Sequence, residues 1–261
     1  ALLLPYGAGA QTAPATRPPD ARVTVRAVRV TEPLRMDGRL DEAVYAQTPS
    51  ISTFIQQEPV DGAMPTERTE AWIFFDAKNI YVSARCWDSH PERDIAGQRR
   101  RDGAAITDNE NFAVIFDTFH DRRNGLVFQA NSIGGLRDSA IVDETNQNAD
   151  WNAVWDARTG TFDGGWTIEM VIPFKSLRYT EGGAQTWGVN LRRLVRWKNE
   201  WNYLTHIPAY IGQRGLFATS LAADLEGLEP PPAGLNVEIK PFGIAGARTD
   251  RAARPQIGRA H

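Results

Sequence analysis

The 261-residue chain predicts an all-β protein, an antiparallel β-sandwich, on three observations. Between Val23 and Leu225 apolar residues recur far more often at a period of two than at 3.6, the spacing of strands that turn one face to a core. Turn signals rich in Gly, Asn and Asp recur about every 8–12 residues, the rhythm of sandwiches and barrels. Eight Trp, eleven Phe and six Tyr must supply the core, because the single cysteine, Cys86, can neither close a disulfide within the chain nor build a structural zinc site.

Taken in order, Val23, Val25, Val28 and Val30 open the domain, and Asp37-Gly38-Arg39 turns the chain into a short helical segment through Tyr45. Residues 71–76 and 80–87 flank Ala77-Lys78-Asn79 as the arms of a hairpin. In the second arm Ile80, Val82, Ala84 and Cys86 share one face, and Tyr81, Ser83, Arg85 and Trp87 the other. Further strands are expected over 112–117, 126–131, 139–143, 153–158, 166–172, 188–197 and 202–207. Asp163-Gly164-Gly165 is a second hairpin turn, since glycine reaches the positive φ that primed turns need. Pro173-Phe174-Lys175-Ser176-Leu177 should make one helical turn.

The expected organisation has four parts. Residues 1–22 combine an apolar run with the small-residue pattern Ala8-x-Ala10, which reads as a signal-peptide remnant and implies export, and a Pro- and Ala-rich tether. Residues 23–225 form the sandwich, 226–234 a Pro-rich linker, and 235–261 the start of another domain, in which Leu235, Val237 and Ile239 alternate with polar residues. No apolar run reaches the 18 or more residues of a membrane-spanning helix; a β-barrel further on is compatible with the pattern.

Composition narrows function. Lys and Arg number 29 against 32 Asp and Glu, a net charge of −3, which gives no basic footprint for nucleic acid. The phosphate-loop, dinucleotide, zinc-protease, nucleophile-elbow and calcium-hand motifs are all missing. His90, His120, His206 and His261 stand at no metal-ligand spacing from one another, and Cys86 shares the parity of buried neighbours. Asp108, Glu110, Asp117, Asp143, Glu144 and Glu169 could pair across a cleft as in a glycosidase. Their ordinary role is to bond backbone at turns and strand ends. Met36, Met64 and Met170 are the thioethers on which a haem-binding, electron-transferring sandwich would have to draw, and no C-x-x-C-H is present.

An ordered set of landmarks points further. Met36-Asp37-Gly38-Arg39-Leu40-Asp41-Glu42, then 74–82 (FFDAKNIYV), then 108–117 (DNENFAVIFD), then 165–177 (GWTIEMVIPFKSL), then Trp187-Gly188-Val189-Asn190-Leu191-Arg192-Arg193 closely resembles the carbohydrate-binding module family 9-like domain over about residues 23–225. In particular it resembles the subgroup that precedes an outer-membrane-type β-barrel of unknown function in bacterial envelope proteins. The resemblance implies a β-sandwich with a concave face that binds sugar ends or chains without catalysis, in proteins tied to polysaccharide breakdown and located in the periplasm or outer membrane. It leaves open calcium in an Asp- and Asn-rich loop such as 143–150, and a glycoside hydrolase if the whole protein is an enzyme. The rival reading is a structural or interaction domain of the barrel protein.

Residue by residue, a Trp of the founding members falls near Thr107, an acidic strand residue at Ala113, a sugar-binding Arg at Gln129, a later polar strand residue at Arg192, and a second Trp at Ala209-Tyr210-Ile211-Gly212, where Tyr210 is the substitute. The expected site therefore comprises Gln129 and Asn131, which share parity, Asn190 and Arg192, which share parity, and the aromatics Trp197, Trp201 and Tyr210. Amide and guanidinium groups would bond sugar hydroxyls while indole rings stack on pyranose faces. Trp72, Trp155, Trp166 and Trp187 are read as core.

Overall fold

The computed structural model describes residues 22–232. The signal-like run, the tether up to Ala21 and the alternating segment after Gly234 lie outside the described residues. In chain order the strands are β1 (Thr24–Arg26), β2 (Val28–Arg29), β3 (Ile55–Glu58), β4 (Thr69–Phe75), β5 (Asn79–Trp87), β6 (Asn111–Asp117) and β7 (Gly125–Asn131). They continue with β8 (Leu136–Val142), β9 (Asn146–Asn148), β10 (Asp156–Phe162), β11 (Gly165–Pro173), β12 (Gln185–Val195), β13 (Glu200–Tyr203) and β14 (Ala223–Leu228). One short helix, α1 (Ala43–Gln47), precedes β3.

Two sheets result. The larger runs β1-β14-β12-β6-β7-β8-β9, with β13 also on β12 and β3 beyond it; the smaller runs β10-β11-β5-β4-β2. The long β12 makes this branching possible, because its first half pairs with β14 and its last four residues with β13. Pairing is antiparallel except for β1 with β14 and β2 with β4, where the entering chain adds one short strand to each sheet around the buried Ala27.

Alternation decides what each face does. Ile80, Val82, Ala84 and Cys86 of β5 meet Phe112, Val114 and Phe116 of β6 and Trp187, Val189 and Leu191 of β12 between the sheets. Aromatic rings there sit edge to face, Phe128 on Trp155 at 5.3 Å and Phe116 on Trp187 at 6.0 Å, the arrangement their quadrupoles favour. The outer face of the smaller sheet carries Trp72, Phe74 and Tyr81, covered by Leu40 and Tyr45. Glu169 faces the same way and holds that cover down, accepting from Gly38 N at 2.8 Å, Asp37 N at 3.1 Å and the Tyr45 hydroxyl at 3.0 Å.

Both predicted hairpins form. Asp76 Oδ1 closes the first by accepting from Lys78 N at 2.6 Å and Asn79 N at 2.7 Å; Gly164, at φ 95°, turns the second. The strand expected over 153–158 lies at 156–162 and the one over 202–207 at 200–203. β3, β9 and β14 stand where no strand is predicted. The last of these carries the sheet through Leu228, so Glu226-Gly227-Leu228, read from sequence as linker, is sheet.

Candidate functional site

The second face of the larger sheet is the place to look. At its centre a single cross-strand row runs Arg137 (β8), Gln129 (β7), Ala113 (β6), Arg192 (β12), Tyr203 (β13). Neighbouring strands lie about 4.8 Å apart, so the backbones of Gln129 and Arg192 are about 10 Å apart with the methyl of Ala113 midway. Apolar residues of this face, among them Ile115, Val127, Leu194 and Trp201, are partly roofed by the 3-10 segment Ala209–Phe217 through Leu216 and Phe217. Between that roof and β8–β9 a cavity of about 170 Å³ stays open. It is small beside the ~300–1,000 Å³ of sites that enclose a drug-sized ligand.

Gln129, Arg192 and Trp201 all line this cavity, and Arg137, Ser139 and Gln147 join them from the adjacent strands. Gln129 is 4% exposed and its Nε2 has no hydrogen-bond partner. Arg192, also 4% exposed, donates Nη2 to Asn111 Oδ1 at 3.0 Å and lays its guanidinium over the Trp201 ring at 5.0 Å. Its Nε is buried without a partner. Burial holds its pKa below the ordinary arginine value, with the Tyr203 hydroxyl opposing that and Arg137 adding to it. A buried donor without an acceptor is costly, and two residues of this row that line the hollow each carry one.

The other expected residues go elsewhere. Asn131, of the same parity as Gln129, is turned into the following loop: its amide donates to Gln98 O at 2.6 Å and Asn109 Oδ1 at 2.9 Å, and its carbonyl accepts from Gly135 N at 2.6 Å. Asn190 bonds Thr205 Oγ1 at 2.8 Å where the chain after β13 crosses it. Trp197 lies apart, edge-on to His90 at 5.3 Å, under Arg93 at 4.4 Å, and bonded through Nε1 to Asp88 at 3.2 Å. Tyr210 is 88% exposed and does not line the cavity. Trp72, Trp155, Trp166 and Trp187 are buried.

Sequence reasoning missed Arg137, Ser139 and Gln147. The only signal for Arg137 and Ser139 was the parity of β8, which the register with β7 fixes, and Gln147 follows from the pairing of β9 with β8. Thr107, where a Trp was sought, also lines the cavity, and Ala113 puts a methyl where an acid was sought.

Of the carboxylates considered for catalysis, Glu110, Asp117, Asp143, Glu144 and Glu169 are tied to structure, while Asp108 is exposed. Glu110 accepts from Arg193 Nε, Trp166 Nε1 and Arg196 N; burial raises its pKa despite the arginine. Asp117 accepts from Asp121 N and Arg122 N, and Asp143 pairs with Arg123. Among the described residues no three His, Cys, Asp or Glu side chains converge on a metal position. Met170 is in the core and Met64 is 65% exposed. Burial pushes the Cys86 thiol up to about 12.

Comparison with known proteins places the architecture. No family model matches the sequence, and no curated protein matches it. Among solved structures, the chain is similar to a carbohydrate-binding module of family 9 from Caldicellulosiruptor kristjanssonii in complex with cellotriose, at 14% identity and TM-score 0.53, over 83% of this chain and 100% of that one. The same organism's family 9 module in complex with glucose gives 13% identity and TM-score 0.50, over 82% and 100%. A protein of Bacteroides uniformis, there proposed to bind carbohydrate, gives 10% and 0.58, over 79% and 99%. These likenesses show the fold: two β-sheets packed as in a family 9 carbohydrate-binding module.

Proposed function

We propose that this sandwich is a non-catalytic carbohydrate-binding domain that takes the end, or a single ring, of a glycan in the hollow on its larger sheet. The observation that carries the reading is the pair of buried residues Gln129 and Arg192, which line one cavity from either side of Ala113 and each keep a donor nitrogen, Nε2 and Nε, without a hydrogen-bond partner. Sugar hydroxyls and ring oxygens are acceptors of the right kind, and Trp201 and Phe217 supply apolar surface for C–H faces. The cavity's size suits one ring rather than a length of chain. Solved structures of this fold hold cellotriose and glucose, which supports the same reading. The setting we propose is an exported bacterial envelope protein concerned with polysaccharide breakdown. The Leu2-Leu3-Leu4 run with Ala8 and Ala10 supports export, and the alternation after Gly234 supports a following outer-membrane-type barrel.

The test is a titration of the folded domain with cello-oligosaccharides and soluble polysaccharides, followed by tryptophan fluorescence and by retardation in polysaccharide-containing gels. A glycan that binds should lose about tenfold in affinity to Gln129→Ala, with the thermal midpoint kept. Failure of every glycan to bind, or full affinity in Gln129→Ala, contradicts the proposal.

A further inference from the structure

The charges around the cavity are one-sided. Arg137, Arg192 and Arg214 all line it. The one acidic residue along its wall, Asp138, has its carboxylate turned to the other side of β8, where it accepts from Arg101 Nη2 at 2.7 Å, Trp155 Nε1 at 2.9 Å and Ala153 N at 2.7 Å. Strand alternation requires this, since Arg137 and Ser139 point outward on either side of it. Neither Arg137 nor Arg214 forms an ion pair among the described residues, and Arg192 forms none either.

The contrast with Arg193 sharpens the point. One residue along β12 and on the opposite face, Arg193 is equally buried, but its Nε meets Glu110 Oε1 at 3.2 Å. Arg122 and Arg101 likewise meet Asp224 and Asp138. Arg193, the other buried arginine among the described residues, is paired with a carboxylate, and Arg192 departs from that at the cavity. The groups that act on it are the Tyr203 hydroxyl, neutral because burial pushes its pKa up to about 12, and a second cation, Arg137. A buried cation without a counter-ion is unfavourable, and a carboxylate arriving on a ligand would relieve it through charge-assisted hydrogen bonds.

We propose that the cavity selects acidic sugars, a hexuronate residue or its equivalent in a glycan, with the carboxylate seated between Arg192 and Arg137 and hydroxyls on Gln129 and its neighbours. This inference rests on the sugar-binding reading and adds the sign of the ligand's charge. Arg214, on the rim, strengthens the attraction at longer range.

Matched probes test it: cello-oligosaccharides against the same oligomers oxidised to carboxylates at C6, galactan oligomers against oligogalacturonate, and acetate alone, each titrated calorimetrically at low and high ionic strength. The expected result is at least about tenfold tighter binding of the acidic member of a pair, with the preference shrinking as salt rises. Arg137→Gln, at a half-buried position without structural bonds, should bring the ratio towards one. Equal affinity for acidic and neutral members overturns this inference and leaves the proposed function standing. Acetate binding as tightly as the uronates overturns it by showing an anion site without sugar selection. Binding by none of the sugars removes both.

Discussion

Adjacent arginines of β12 provide a stability experiment whose outcome follows from their surroundings. Arg193→Met leaves the Glu110 carboxylate buried without its cation and strips Arg68 O and Thr69 Oγ1 of a donor. Breaking a buried pair in this way costs about 3–5 kcal/mol. Arg192→Met removes a buried cation that has no counter-ion, a gain of about 1–4 kcal/mol. Against it stand the lost bond to Asn111, about 1.5–3 kcal/mol, and the contact with Trp201, about 0.5–2 kcal/mol. At mid-range these terms leave a net cost of only about 1 kcal/mol. Urea denaturation at pH 7 should therefore show Arg193→Met several kcal/mol less stable than the parent, with a thermal midpoint lower by roughly 10 °C for a domain of this size. Arg192→Met should stay close to the parent and lose ligand binding. Equal destabilisation by both substitutions would refute the reasoning, because it would make Arg192 a structural anchor.

Three further outcomes are expected. Trp201→Phe should weaken glycan binding about tenfold, since it removes part of the aromatic surface at the cavity, whereas Trp197→Phe should bind as the parent does; the same fluorescence titration reads both. Burial works against ionisation of Asp76, but bonds from the Tyr81 hydroxyl, Lys78 N and Asn79 N outweigh it and hold the carboxyl below its ordinary range. The stabilisation is complete above the unfolded value of about 3.9 and is lost as pH falls through the folded one. Asp76→Asn should thus cost about 1–2 kcal/mol at neutral pH, with its denaturation midpoint converging on the parent's in acid. Gly38 sits at φ 81°, and a Cβ there would lie 2.6 Å from Thr159 O. Gly38→Ala should cost about 2–3 kcal/mol and expose residues 34–45 to limited proteolysis.

What was legible from sequence follows the strength of alternation. β4, β5, β6, β7 and β11 carry apolar residues at alternate positions, and their pattern alone located them. β3 (Ile-Gln-Gln-Glu) and β9 (Asn-Gln-Asn) have almost no apolar residues to alternate, and β14 contains Glu226 and Gly227, so its tail resembled a linker. The same limit governs the site. Parity placed Gln129 and Arg192 on one face, but it could not show that Asn131 bends into a turn closed by Gly135 or that Thr205 covers Asn190. Trp197 and Trp201 looked alike in their polar surroundings. The 3-10 segment Arg196–Lys198 carries the first to the edge of the sheet, while β13 carries the second into the cavity. Arg137 becomes visible only once β8 is in register with β7, a long-range fact that no local pattern holds.

The central claim concerns one row of side chains on one face, and side-chain nitrogen spectra address it most directly. In a ¹⁵N-labelled domain titrated with oligogalacturonate, the indole N–H of Trp201 and the side-chain amides of Gln129 and Gln147 should shift together and saturate together. The indole signals of Trp197, Trp72 and Trp187 should stay in place. Shifts centred on Trp197, or a titration that moves none of the cavity signals, would contradict the account.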